Sequence, residues 1–181
     1  MDEKMISELR KNSVQHWKKI VEKYGSNEKD SVLDYKDFLQ GRQAASVTLH
    51  GCSVELPAHR QNFIEFIYAY EGRIVTEIDG KELVQEKGDI LLMNQYVEHR
   101  VKPTGNENEA LILAALPDFF EKPLEMMKKQ SLITDFLANM FRQNSKKPEY
   151  LMFHLDDQRA LENLVENLTV SLCDEDGSKN S

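Results

Sequence analysis

A mainly β chain with helices at both ends, its strands forming a small antiparallel barrel or sandwich, is the fold class this sequence predicts. Three observations predict it. From Ala44 to Leu116 the chain breaks into short alternating runs, among them ASVTLHGCSVEL, NFIEFIYAY, RIVTEI, KELVQE and DILLMN. Alternation of period two marks a strand with one buried face. Turn signals separate the runs: Glu71-Gly72, Asp79-Gly80 and Lys87-Gly88. Asp-Gly between two such runs signals a hairpin, because both central residues of a type I′ turn need positive φ. On either side of this region apolar residues recur at helical spacing instead.

Taken in order, residues 4–24 predict a helix, with Ile6, Leu9, Val14, Trp17, Ile20, Val21 and Tyr24 in its apolar positions and Gly25 as its stop. Residues 25–43 are polar and read as a long connection with room for one short element. About seven strands follow over 44–116, and one of them turns Ile74, Thr76 and Ile78 to one face. After Pro117, PDFFEKPLEMMKKQ and SLITDFLANMFRQN are helical, and PEYLMFHL is one more short strand. From Asp156 a helix carries Leu161, Leu164, Val165, Leu168 and Leu172 at i, i+3 and i+4 spacing. The tail, DEDGSKNS, is polar and predicts disorder or a linker. The expected organisation is therefore 1–43, a helix and loop; 44–116, the β region; 117–173, helices with one strand; and 174–181, a tail.

Composition narrows the function. The chain of 181 residues suits one domain with a real core. Its net charge of −8 weighs against binding DNA on its own through phosphate contacts. Cys52 and Cys173 stand far apart in no metal or redox spacing, which predicts a reducing compartment. There is no secretory h-region at the start, and the apolar stretch near Ala110–Leu116 is too short to span a bilayer, so the cytoplasm is expected. Neither a Ser-His-Asp set nor a glycine-rich phosphate loop is visible.

The informative stretch is HRQNFIEFIYAYEG, residues 59–72. Read as one strand, it turns His59, Gln61, Phe63, Glu65 and Ile67 to one side and Tyr68 and Tyr70 to the other, where helices would cover them. An imidazole, an amide and a carboxylate among Phe and Ile either line a pocket or satisfy one another. His99 ends a second element, GDILLMNQYVEHR. His16, His50 and His154 have no partner in spacing and are expected at the surface or in packing.

These residues resemble the cupin motifs. Gly51 precedes His59-Arg60-Gln61, Glu65 follows after three residues, and Gly72 after six more. In the second motif Gly88 is followed by five residues, then Asn94-Gln95-Tyr96, two residues and His99. The sequence departs from the family in four places. Seven residues rather than five separate Gly51 from His59, Gln61 replaces the second His, and Asn94 and Tyr96 replace Pro and Gly. The resemblance implies a double-stranded β-helix barrel followed by C-terminal helices. Cupins that bind metal hold a first-row ion on three His and one Glu, so a metal here would fall on His59, Glu65 and His99.

FIEFIYAYEGRIVTEIDGKELVQEKGDILLMNQYVEHRV, LILAALPDFF and the final amphipathic helix more closely resemble the N-terminal effector-binding and dimerisation domain of AraC-type transcriptional regulators, over about residues 45–172. That resemblance implies a sensor, not an enzyme, with no cofactor and no membrane partner. Its effector, sugar-like or another polar metabolite, would meet His59, Gln61, Phe63, Glu65 and His99. A homodimer would form through Leu161, Leu164, Val165, Leu168 and Leu172. DNA would be reached only through helix-turn-helix units that this chain does not carry. Two rival expectations are a metal-dependent cupin enzyme and a structural cupin whose interior is plugged by Phe63 and Ile67.

Overall fold

A computed structural model describes residues 3–26, 31–41, 43–126, 132–141, 146–154 and 159–177. Helix α1 (Glu3–Tyr24) precedes strands β1 (Ser31–Leu33), β2 (Ala45–Gly51), β3 (His59–Gln61), β4 (Ile64–Glu71) and β5 (Ile74–Ile78). Then come β6 (Lys81–Gln85), β7 (Ile90–Met93), β8 (His99–Val101) and β9 (Glu109–Ala115). Helices α2 (Glu121–Met126) and α3 (Leu132–Phe141), strand β10 (Tyr150–Phe153) and helix α4 (Arg159–Gly177) complete the order.

The strands form two five-stranded sheets that face each other. One runs β1-β3-β8-β5-β6, the other β10-β7-β4-β9-β2. All pairs are antiparallel except β1 with β3. The β5–β6 hairpin turns at Asp79 and Gly80, with φ of 50° and 72°, as the Asp-Gly signal requires. Ile74, Thr76 and Ile78 are all buried on one face of β5. Gly72 has φ of +69°, and a Cβ there would overlap Asn108 Oδ1, which accepts a hydrogen bond from Arg73 N.

Both flanking regions enter the barrel more deeply than their composition suggests. The stretch expected as a connection supplies β1 and a 3-10 turn at Tyr35–Asp37 capped by Asp34. Three residues are too few for periodicity to show, and the parallel pairing with β3 alone defines the strand. Strand β10 extends the second sheet beside β7. Helix α4 continues to Gly177, past the expected boundary at 173, because nothing in Asp174–Asp176 breaks a helix.

Two apolar layers result. Inside the barrel, Phe63, Ile67, Leu91, Met93 and Ile112 pack with Leu33, Phe38 and α1's Trp17, Ile20 and Tyr24. Outside the second sheet, Ile64, Leu92 and Ala115 meet Phe120, Phe141 and Leu172. The front half of α1 lies on that same outer face, with Ile6 and Leu9 against Leu49 and Leu111. Ser13 Oγ accepts Leu49 N at 2.8 Å, so α1 satisfies a donor on the edge strand β2.

Candidate functional site

His59, Gln61 and Glu65 do not share one strand. The chain crosses from the first sheet to the second at Asn62-Phe63, so β3 carries His59 and Gln61 while β4 carries Glu65. The crossing is held from outside. Asn62 N donates to Leu33 O, and Asn62 Oδ1 accepts Tyr35 N at 2.6 Å. The alternation nevertheless carries through the break, and Phe63 and Ile67 lie in the same interior layer.

His99 on β8 is the cross-strand partner of His59, with ring centroids 4.6 Å apart. Its Nε2 stands 3.2 Å from Glu65 Oε2, reaching across from one sheet to the other. His59 Nδ1 donates to the Pro57 carbonyl at 2.8 Å, which leaves Nε2 as the acceptor in the neutral ring. Gln61 Nε2 donates to Asn94 O at 3.3 Å. All four side chains are buried.

Burial and mutual charge set their protonation. Burial, and then the neighbouring His99, push His59 down to about 4. Burial likewise pushes His50 down to about 4. For Glu65 burial acts upward, but the attraction of His99, with smaller contributions from His59 and His50, outweighs it and holds the carboxyl below its ordinary range. At neutral pH the site is thus one carboxylate among imidazoles, of which His50 and His59 are uncharged.

Two further residues complete the site. His50 is buried on β2, and with Trp17 of α1 it lines a cavity of about 20 Å³ shared with His59, Glu65 and His99. Of the two expectations for His50, surface or packing, it is packing that holds: the ring is buried edge to face on Trp17, and it lines the cavity as well. Its signal was present in the sequence: Ser46, Thr48 and His50 form the polar face of β2, while Ala45, Val47 and Leu49 form the apolar one. In a sheet covered by helices the apolar face turns outward, so the polar face is the inner one. The contribution of Trp17 had no sequence signal beyond helical spacing. The other two histidines also find neighbours: His154 Nδ1 meets Asp89 Oδ2 at 2.8 Å, and His16 packs on Phe38.

The ligand set of a metal-binding cupin is not reproduced. The position of its second His is Gln61, whose Nε2 donates to Asn94 O. Among the described residues no group of three or more His, Cys, Asp or Glu is placed to hold a metal ion.

The expected dimer stripe is largely taken up within the chain. Leu172 and Leu168 pack on the outer layer beside Ile64 and Phe120, and Val165 packs with α1's Ile6 and Leu9. Leu164 is 60% exposed, and the side chain of Leu161 lies outside the described residues. Tyr68 and Tyr70 sit among the α1 and α4 residues on the outer face. Neither Cys52 nor Cys173 forms a disulfide.

Residues 46–116 match the family described as "Cupin domain". Over these residues the barrel has the cupin fold. Its architecture is the double-stranded β-helix, two antiparallel sheets followed by C-terminal helices. Among solved structures, a cupin-2 domain containing protein from Shewanella frigidimarina is similar at 15% identity, covering 43% of this chain and 76% of that one, with a TM-score of 0.38. An RmlC-like cupin family protein from Methanocaldococcus jannaschii is similar at 14% identity, covering 39% and 67%, with a TM-score of 0.34. ToxT from Vibrio cholerae is similar at 10% identity, covering 70% of this chain and 48% of its own length, with a TM-score of 0.47. None of these likenesses bears on function. No curated protein matches the sequence.

Proposed function

We propose that this cupin domain is the ligand-sensing and dimerisation part of an AraC-type transcriptional regulator. A small polar effector binds inside the barrel, and DNA is contacted by a region outside this sequence. One observation carries the sensing reading. The barrel buries His50, His59, Gln61, Glu65 and His99 together, with Gln61 Oε1, His50 Nδ1 and His99 Nδ1 lacking hydrogen-bond partners. A buried polar atom without a partner costs about 1–3 kcal/mol, and a bound polar molecule would relieve that cost. The motif strings support the regulator reading. With α1 closed over the site the open volume is about 20 Å³, room for about one water, so a ligand of any kind must displace a side chain. Dimerisation would use the outward edge of α4 at Leu164. Among the described residues no helix is long and apolar enough to cross a membrane, and we assign the protein to the cytoplasm.

The same small volume favours a second reading, a structural cupin whose interior is filled by Phe63, Ile67 and Trp17. A thermal-shift screen of sugars, polyols, small acids and heterocycles separates the two. Stabilisation by one class, lost in His99→Ala, supports the sensor. No stabilisation by any class leaves the structural reading. Sedimentation of wild type and Leu164→Glu tests the dimer, which the charged variant should dissociate.

A further inference from the structure

Trp17 stands inside the ligand site rather than beside it. Its indole is 6% exposed and lines the cavity with His50, His59, Glu65 and His99. Other rings hold it edge to face: His50 at 4.6 Å and 81°, and Phe38 at 5.9 Å and 70°. Neither of those rings belongs to α1, so the nest stays in the barrel if the indole swings out. Such geometry recognises a flat aromatic ring and offers little to a polyol, because edge-to-face contact needs a ring quadrupole.

The polar atoms fit the indole poorly. Trp17 Nε1 is a buried donor with no partner. Glu65 lines the same cavity, and its Oε2 stands 3.2 Å from His99 Nε2, with His59 and His50 also close enough to act on its charge. Trp17 and Glu65 therefore border one small space, and the indole N–H makes no hydrogen bond there. A tethered indole reaches the nest but cannot slide further in, because α1 is fixed on the outer sheet by Ile6, Leu9 and Ser13. A free ring has no such tether.

We infer that Trp17 holds the ligand's place, and that the site is built for a planar N–H heterocycle of about the indole's size, which takes over the nest of His50 and Phe38 and donates its N–H to Glu65. The inference rests on the sensor reading and narrows it, since a ligand larger than a water needs more than the roughly 20 Å³ now open, and an outward swing of Trp17 would supply it.

Trp17 is the single tryptophan of the chain, so its fluorescence reports this event directly. The test titrates the full chain with adenine as the heterocycle and glucose as the polyol, reading melting temperature and Trp17 emission together. Adenine should raise the melting temperature saturably, and the emission should shift red and become quenchable by acrylamide as the indole moves into water. Trp17→Phe, a smaller plug without the N–H, should bind adenine about tenfold more tightly. Glu65→Gln should bind it about tenfold more weakly, as a charge-assisted bond becomes a neutral one. Stabilisation by adenine with an unmoved Trp17 signal overturns the inference, since the ligand then sits elsewhere. Stabilisation by glucose alone overturns it while the sensor reading stands. No response to either probe overturns the inference, and the broader effector screen then decides the sensor reading separately.

Discussion

Acid should unfold this protein through its buried histidines. An imidazole in water titrates near 6.5, whereas His50 and His59 titrate at about 4 in the folded chain. Above pH 6.5 both are neutral in the folded and unfolded states and contribute no pH dependence. Between 6.5 and 4 the unfolded chain takes up protons that the folded chain refuses, so stability falls as pH falls. Below 4 both states are protonated and the loss is complete. Each residue displaced by roughly 2.5 units costs about 3 kcal/mol, at 1.36 kcal/mol per unit. Together they remove on the order of 6 kcal/mol, a large part of a domain's typical stability of about 5–15 kcal/mol. Glu65, held below its ordinary range, adds a further loss of the same sign below about pH 4.5. The assay is urea unfolding at intervals from pH 7.5 to pH 4.5, as round bounds for the window set by these pKa values. The slope should approach two protons, about 2.7 kcal/mol per pH unit. In His50→Gln it should fall by about half. A stability that stays flat from pH 7 to pH 5 would refute the burial of neutral imidazoles, and with it the geometry of the site.

Three further outcomes follow from the packing. Gly72→Ala should cost about 2–4 kcal/mol, from a left-handed φ and the displacement of Asn108, and a loss below about 1 kcal/mol in chemical denaturation would contradict the turn. Asn94→Ala should cost about 2–4 kcal/mol, because Lys147 O, Tyr96 N and Glu149 N lose their partner together. Hydrogen exchange should then quicken over residues 146–154, and unchanged protection there would sink the idea that Asn94 ties β10 to the barrel. Arg10→Ala, although it breaks a 2.7 Å pair with Glu109, should change the urea midpoint by less than about 1 kcal/mol's worth, since Arg10 is exposed.

Much of this molecule is legible in its residues. Alternation and Gly turns locate the strands of the barrel, Asp79-Gly80 fixes a hairpin, and helical spacing places α1 and α4. The inward set of His59, Gln61, Phe63 and Glu65 follows from a period of two, and survives the sheet crossing because the alternation does. These are local properties, written in neighbouring residues. Four matters are not local, and only the tertiary structure decided them. Strand β1 is too short for periodicity and exists through its pairing with β3. The polar face of β2 turns inward because helices claim the apolar one, which makes His50 part of the site. Leu168 and Leu172 of α4 meet their own sheet, because the helix finds there the apolar surface that a twin subunit could also have offered. Helical spacing says that Trp17 is buried. It does not say that the helix crosses the barrel mouth and sets an indole among the imidazoles, because spacing records which side of a helix is apolar and not what that side meets.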